Sequence, residues 1–596
     1  MDRKAKNSGD RIIIGLITSQ IHPFACQAEW QGMAAAAREM DVNLVIYPGS
    51  ALDSPHFFEK QDNLIYETVL QPALLDGLVI WTGVVDWFVS EKELRGFVER
   101  FTSVPLVSIE EIPLDGTPII SIGNYQGMWD LVEHLLVVHD YQRIAFVSGP
   151  LGYKGMQDRY QAYCDCLTAH GREVDAELVV VGDFMIGSGK TAVSTLLDER
   201  QKDFDAVVAA NDAMALGVMQ ALQARGFIMP LHKAVVGFDA DKTTFPPLTT
   251  VSPSFYEMGQ IALKTCVALV RGQEVAARIE MPAELIVRRS CGCLPGILDQ
   301  ILLATEPPFS DEGLIYQQIA TAVLQAVPSS LPVDVLEALT QAFVKSVFQD
   351  VDDIFLTQFD KVLLYDAIDG KELTRWHLVI SALRKTGGRH WQSAQQVNRA
   401  EDLCHQARLL LGDTEHWTDE YQVVVTEQTA LKLRDIGDSL ITAFSIEEVQ
   451  GLIADTFPEV GVSQCAVALF EGDEVTPLGG ELLVMYDENG RYPLPSTYCW
   501  NFTENVLPPL LLNREQGQAF IMAPLHFREE NLGVAVFGIG TQDGMVYETL
   551  RLQLSSALKR ALMVKEIQSA QNDLELRVAA RTSELVQEII GHKQTA

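Results

Sequence analysis

Basic charge is scarce in this 596-residue chain: 45 Lys and Arg stand against 80 Asp and Glu, a formal net charge of −35. Affinity for nucleic acid is driven largely by Lys and Arg displacing counterions from phosphates. No stretch of five or more clustered basic residues occurs, so direct DNA binding is not expected and the acidic excess reads as solubility. Long apolar runs are missing too. No segment approaches the roughly 18 consecutive apolar residues of a membrane span. The N-terminal MDRKAKNSGDR leads into IIIGLI, an apolar run too short for a signal-peptide core with its cleavage site. No membrane partner is expected, and the cytoplasm is the expected compartment. Cysteine is sparse, nine residues whose spacings match no zinc ribbon, finger or thioredoxin motif. The tight pairs are Cys164 with Cys166 and, in SCGC, Cys291 with Cys293. A C-x-C pair supplies two ligands, and no neighbouring His or Cys pair in the sequence completes a tetrahedral site. Neither a metal nor another cofactor is expected.

Catalytic signatures are absent as well. GSGKT at Gly187 to Thr191 invites a phosphate-loop reading, but that loop needs a Gly five positions before its second Gly, and Phe184 stands there. No G-x-G-x-x-G follows the first strand, and neither a G-x-S-x-G elbow nor H-E-x-x-H occurs. Without a convergent nucleophile, base or metal set, the chain is not expected to be an enzyme.

What is present is globular. Hydrophobic residues make up 47% and charged residues 21%, and the length exceeds one hydrophobic core, suggesting three or four units. From 11 to 293 short apolar runs (IIIGLITS, NLVIYPG, DGLVIWTG, PLVSIE, IISIG, RIAFVSG, LVVVGDF, AVVAAND, AVVGFD) alternate with amphipathic stretches such as Ala28 to Met40, Met128 to His139, Asp158 to Ala169 and Ala213 to Arg225. This βαβ rhythm predicts an α/β fold of parallel, doubly wound sheets in two lobes. Residues 300–432 read as an all-helical connector. Next, 433–545 read as an α+β unit, with a helix near Ile446 to Thr456 and strands Cys465 to Phe470, Glu481 to Tyr486, Ala519 to His526 and Gly533 to Gly538. The segment 547–596 reads as one long helix. Its stripe of Leu554, Leu558, Leu562, Leu574, Val578 and Leu585, interrupted by Gln571 and Arg581, predicts a coiled coil and a homodimer.

In open α/β sheets the ligand crevice faces the carboxyl ends of the strands. The residues just past the apolar runs are Ser19 and Phe24, Trp81 and Thr82, Asn124 and Tyr125, Phe184, Asn211 and Asp212, and Asp239. Taken singly, each reads as readily as a helix cap, turn residue or core aromatic. Together they offer stacking faces and hydrogen-bonding groups suited to a polyhydroxylated small molecule.

RIAFVSGP, DRYQAY, VVGDF, AVVAANDAMALGVMQALQARG, VVGFD and PPLTTVSPSFYEMGQIA, in this order, resemble the ligand-binding core of the LacI/GalR regulators. The resemblance covers about residues 12 to 290. It implies a periplasmic-binding-protein-like (type I) module of two Rossmann-like lobes joined by three crossovers, closing on a sugar or related metabolite. It further implies that Arg159 hydrogen-bonds ligand hydroxyls, that Phe184 packs against the ligand ring, and that Asn211 and Asp239 contact it from neighbouring loops. Asn124, Trp81, Phe24 and Ser19 sit in loops whose length varies within the family. Such regulators carry a helix-turn-helix headpiece before the first core strand, where ten residues stand here, so no headpiece is expected. Residues 435 to 545 resemble a GAF-type domain. LELRVAARTSELVQEIIGHKQ resembles the helix leading into the output part of bacterial histidine kinases, PAS-containing sensors or diguanylate cyclases, with nothing around His592 marking a phosphorylation site. The expected function is a sugar sensor of a signal-transduction protein. It passes lobe closure through the connector to the terminal helix and a downstream output partner; the alternative is a transcription regulator related to the LacI family.

Overall fold

The computed structural model describes residues 11–22, 24–54, 61–112, 114–150, 152, 154–240, 247–293, 312–326, 331–348, 354–368, 371–391, 393–470, 479–495, 498–508, 511, 516–541 and 543–595. The chain packs into two compact units, Met1–Gly292 with Leu431–Ala596, and Cys293–Ala430.

In the larger unit, β1 (Ile13–Thr18), β2 (Asn43–Pro48), β3 (Gly77–Trp81), β4 (Leu106–Ile109) and β5 (Ile119–Ile122) form the first lobe's parallel sheet. The second lobe holds β6 (Ile144–Ser148), β7 (Val179–Val181), β8 (Ala206–Ala209), β9 (Ala234–Phe238) and β10 (Thr249–Pro253). Strand β11 (Arg278–Met281) returns to the first sheet beside β5, and β12 (Ala283–Ile286) adds antiparallel to β10 on the second. The chain thus crosses between the lobes after β5, after β10 and between β11 and β12, giving the three expected crossovers. Every residue of β3, β6 and β9 is buried, as strands covered on both faces require, which is why they appear in the sequence as unbroken apolar runs. The intervening helices begin earlier than their apolar patterns alone show: Phe24–Met40, Asn124–Val137, Lys154–Ala169 and Asp212–Ala224.

The first sheet does not stop at β2. Strands β13 (Cys465–Phe470), β14 (Gly479–Asp487), β15 (Gly490–Arg491), β16 (Cys499–Asn501), β17 (Ala519–Phe527) and β18 (Glu530–Gly538) form an antiparallel layer in the order β17-β18-β13-β14-β15, with β16 on β14. Its edge strand β17 pairs parallel with β2, in the register Ala519↔Leu44, Phe520↔Val45, Ile521↔Ile46. The sequence reading separates 11–293 from 433–545; the structure joins them through one sheet. The physical reason is the edge of β2, whose unpaired N–H and C=O groups need a partner. At the seam Leu44 N donates to Gln518 O at 2.9 Å, and Gly517 N donates to Asp41 Oδ1 at 2.7 Å. A Cβ on Gly517 would lie 2.3 Å from Val42 O, so only glycine permits this approach.

The helix Gly544–Thr595 packs its first turns on β17 and β18. Leu554 and Leu558, expected on an intermolecular seam, are fully buried within their own chain, whereas Leu574, Val578 and Leu585 are exposed. The stripe therefore divides, because its N-terminal part already has a sheet to cover.

In the smaller unit the helices Glu312–Ala326, Val333–Phe348, Ile354–Ile368 and Trp376–Gly387, with the first part of Ala394–Thr442, enclose a core of their own. Phe343, Phe355, Phe359 and Trp376 meet in succession with ring centroids 5.1 to 5.8 Å apart, the middle pair stacked and the outer two edge to face. Asp366 accepts hydrogen bonds from Arg375 at 2.7 Å and Trp376 Nε1 at 2.9 Å. No helix among the described residues is long and apolar enough to cross a membrane.

Candidate functional site

Between the lobes lies a crevice of about 630 Å³. The first lobe contributes Ser19, Gln20, His22, Cys26, Trp81 and Trp87, and the second Arg159, Phe184, Asn211, Asp212 and Asp239. Each lobe offers the carboxyl ends of its strands, as the sheet rule requires. Of the residues singled out in the sequence, Ser19, Trp81, Arg159, Phe184, Asn211, Asp212 and Asp239 line the crevice together.

Arg159 is the most constrained of them. Only 5% exposed, it lies over the Phe238 ring with the guanidinium carbon 3.6 Å from the centroid. Its Nε donates to Asn124 Oδ1 at 2.8 Å and its Nη1 to Ala210 O at 2.6 Å, leaving Nη2 on the side of Asp239 Oδ1, 3.9 Å away. Two donors and one face are thus spent on holding the fork in place, which pre-organises the remainder for a ligand. Asn124 is buried and is not part of the lining; it braces Arg159 and donates to Glu110 Oε1 at 3.4 Å. Asn211 combines two roles. Its Oδ1 caps the helix Asp212–Ala224 by accepting from Met214 N at 3.0 Å, while its Nδ2 donates to Phe184 O at 3.0 Å. That second bond secures Phe184, whose backbone has φ of +67°. The Phe184 ring, from the second lobe, meets Trp87, from the first, with centroids 5.2 Å apart. Trp81 packs against Phe255 at 5.8 Å.

Three other candidates lie elsewhere. Thr82 is buried and donates to Ile109 O at 2.7 Å. Tyr125 is exposed, stacked near Trp129 and bonded to Asp165. Phe24 opens the helix Phe24–Met40, and its side chain lies outside the described residues.

Sequence reasoning missed Trp87, which sits beyond a short helix, Thr82–Val85, rather than directly after a strand. It missed Gln20, His22 and Cys26, whose side chains carry no signature, and the role of Gly187, which lines the crevice instead of cradling phosphate. It also missed two buried acids. Burial pushes Glu110 up to about 7, against the opposing Ile122 N–H and Arg159, and burial followed by the charge of Glu110 raises Asp86 to about 7. Burial lowers His22 and pushes the Cys26 thiol up to about 12, so both favour their neutral forms at neutral pH. Among the described residues the cation lining the crevice is therefore Arg159, with Asp239 beside it and Asp212 also in the lining. Such a balance suits a neutral hydroxylated ligand better than an anion.

A second polar cluster adjoins the crevice where the two halves of the long sheet meet. Asp62 Oδ1 lies 2.9 Å from His526 Nε2 and 3.0 Å from Arg551 Nη1, and Arg551 also pairs with Glu548 at 2.5 Å. Gln20 and His22 line both this small cavity and the crevice.

Residues 132–291 match the family described as periplasmic binding protein-like domain. Among curated proteins, the chain is 27% identical over 300 residues to the HTH-type transcriptional repressor CytR of Escherichia coli (strain K12), covering 50% of this chain and 83% of that protein. It is 34% identical over 184 residues to the HTH-type transcriptional regulator CelR of Thermobifida fusca, covering 30% of this chain and 53% of that protein. Over 251 residues it is 29% identical to the Ribose operon repressor of Escherichia coli (strain K12), covering 42% of this chain and 72% of that protein. Among solved structures, a transcriptional regulator CelR–cellobiose complex is 26% identical, with a TM-score of 0.40, covering 47% of this chain and 85% of that one. The chain thus contains a LacI-type, periplasmic-binding-protein-like domain. These relatives are transcriptional repressors and regulators, so they favour the transcription-regulator alternative over the kinase or cyclase reading and give no support to the expectation that DNA is not a target.

Proposed function

We propose that this chain is a sugar-responsive regulator of the LacI type, in which a neutral mono- or disaccharide binds between the lobes and stabilises their closed arrangement. The observation that carries this reading is the braced Arg159 guanidinium facing Asp239 in a crevice walled by Trp81, Trp87 and Phe184. Aromatic faces cover the apolar side of a sugar ring, while the fork and carboxylate match its hydroxyls. A relative named as a ribose operon repressor supports a saccharide as the ligand class. The chain binds and responds without catalysing a reaction.

The response needs no passage through the helical connector. The loop Ser19 to His22 faces the crevice on one side and the Asp62–Arg551 cluster on the other. A ligand that favours one position of this loop biases the α+β layer, which we read as GAF-like, and the helix Gly544–Thr595 that leaves it. Beyond the covered turns this helix exposes Leu574, Leu576, Val578 and Leu585. A parallel second copy is the simplest cover for such a stripe, and dimerisation is characteristic of regulators.

A thermal-shift screen of the full chain with ribose, cellobiose and further mono- and disaccharides tests the reading. A true ligand at a hundredfold excess over Kd stabilises by about 2.7 kcal/mol. Arg159→Ala and Phe184→Ala are expected to abolish the shift while remaining folded. Variants that bind as tightly as the parent would place the site elsewhere.

A further inference from the structure

The sequence offers no His or Cys pair beside Cys291 and Cys293, yet the fold brings two histidines to them. His134 lies in the last turn of the helix Asn124–Val137 and His139 just beyond it. The ligand atoms of His134, His139, Cys291 and Cys293 all lie within 4.8 Å of one another. The expectation that the C-x-C pair lacks partners is thereby corrected: its partners are some 150 residues away in sequence, joined to it by the lobe's own topology.

We infer that these four residues form a structural zinc site, a Cys₂His₂ clip at the end of the second lobe remote from the crevice. Two thiolates and two imidazoles match a tetrahedral, borderline-soft ion, and the cluster has no carboxylate to favour calcium or magnesium. With Zn–S near 2.3 Å and Zn–N near 2.0 Å, ligand atoms in a tetrahedron stand roughly 3.3 to 3.8 Å apart. Side-chain rotations that draw the four atoms in by about an ångström complete the geometry.

The backbone is built for this turn. Gly292, between the cysteines, has φ of +110°, and a Cβ there would lie 3.2 Å from His139 Cε1. A larger residue would meet the imidazole and strain the loop. Cys293 follows Cys291 by that single glycine, so one turn places both thiols. The turn is pinned from behind: Tyr141 Oη donates to Cys291 O at 2.9 Å, and Ser290 Oγ accepts from Thr249 N at 2.8 Å. Thr249 Oγ1 donates to Cys291 Sγ at 3.1 Å, the outer contact that favours a thiolate ligand. His139 stacks on Tyr141, with centroids 5.3 Å apart and planes inclined by 15°, which fixes its ring. The clip links the segment just after the lobe's first helix to the segment just after β12. It thereby ties together the chain following the first and third crossovers.

Metal analysis of the full chain, purified under reducing conditions without chelator, is expected to find close to one zinc per chain. After stripping, titration with cobalt(II) alone should give an intense thiolate-to-cobalt charge-transfer band with the visible bands of tetrahedral cobalt, both displaced by zinc. Cys293→Ser should lose about half of the charge-transfer intensity, one of its two thiolates being gone, and weaken cobalt binding by more than the roughly hundredfold that loss of an outer partner costs, with an unchanged far-ultraviolet spectrum. The parent spectrum decides the question even if that variant misfolds. Weak octahedral cobalt bands in the parent, zinc content no higher than in Cys293→Ser, or a Cys291–Cys293 disulfide in the reduced preparation would overturn the assignment.

Discussion

At the scale of single residues, the crevice shows how ordinary stabilising groups become a site. Asn211 performs the task of a helix cap and still lines the crevice, as does Arg159 while bonded to Asn124 and Ala210 O. Near Arg159 stands Glu110, and near Glu110 stands Asp86, raised by burial from the usual 4.5 and 3.8 to about 7. Between the ordinary and the raised values the folded chain holds protons that the unfolded chain has released. Stability from these groups is therefore greatest below pH 4, falls as pH rises towards 7 and levels off above it. One full proton corresponds to at most about 1.4 kcal/mol per pH unit. Chemical denaturation from pH 5 to 8 should show a shallower decline in Glu110→Gln than in the parent. An identical slope would mean that Glu110 is already ionised in the folded chain. None of this was legible beforehand, since Glu110 follows a strand as countless solvent-facing acids do and only tertiary burial distinguishes it.

At the scale of elements, strands were read well where both faces are buried, because such strands appear as unbroken apolar runs. The helix Ile446–Thr456 and strand Cys465–Phe470 fall where their apolar pattern places them. The pairing of β2 with β17 was not legible: two edges 475 residues apart carry no mutual signal in a single sequence. Gly517→Val tests this seam, since the added Cβ would lie 2.3 Å from Val42 O. It should lower full-chain stability by about 1 to 3 kcal/mol, the usual cost of overpacking, and a variant with unchanged denaturation would show the seam to be dispensable. The heptad stripe of the last helix predicts an intermolecular seam along its whole length, and periodicity cannot tell a partner chain from a sheet in the same chain. Its exposed part carries the dimer proposal. Deleting residues from 565 onward should shift the sedimentation of the chain towards monomer at tens of micromolar while leaving saccharide affinity nearly unchanged. A truncated chain that stays dimeric would move the interface elsewhere.

At the scale of the whole molecule, the central claim is that a ligand held between the lobes is felt by the α+β layer through the shared sheet and the loop Ser19 to His22. The second lobe and its crevice-lining loops were legible because their motifs run consecutively. The link to the α+β layer was hidden because Asp62, His526 and Arg551 converge from three distant segments. Hydrogen exchange of the larger unit, read in the full chain with and without the saccharide found by thermal shift, tests the claim most directly. The account predicts added protection at 81–87, 184–187 and 211–213, accompanied by a change at 517–521 and 544–551. Protection of the crevice with no change at either of the latter segments would contradict it.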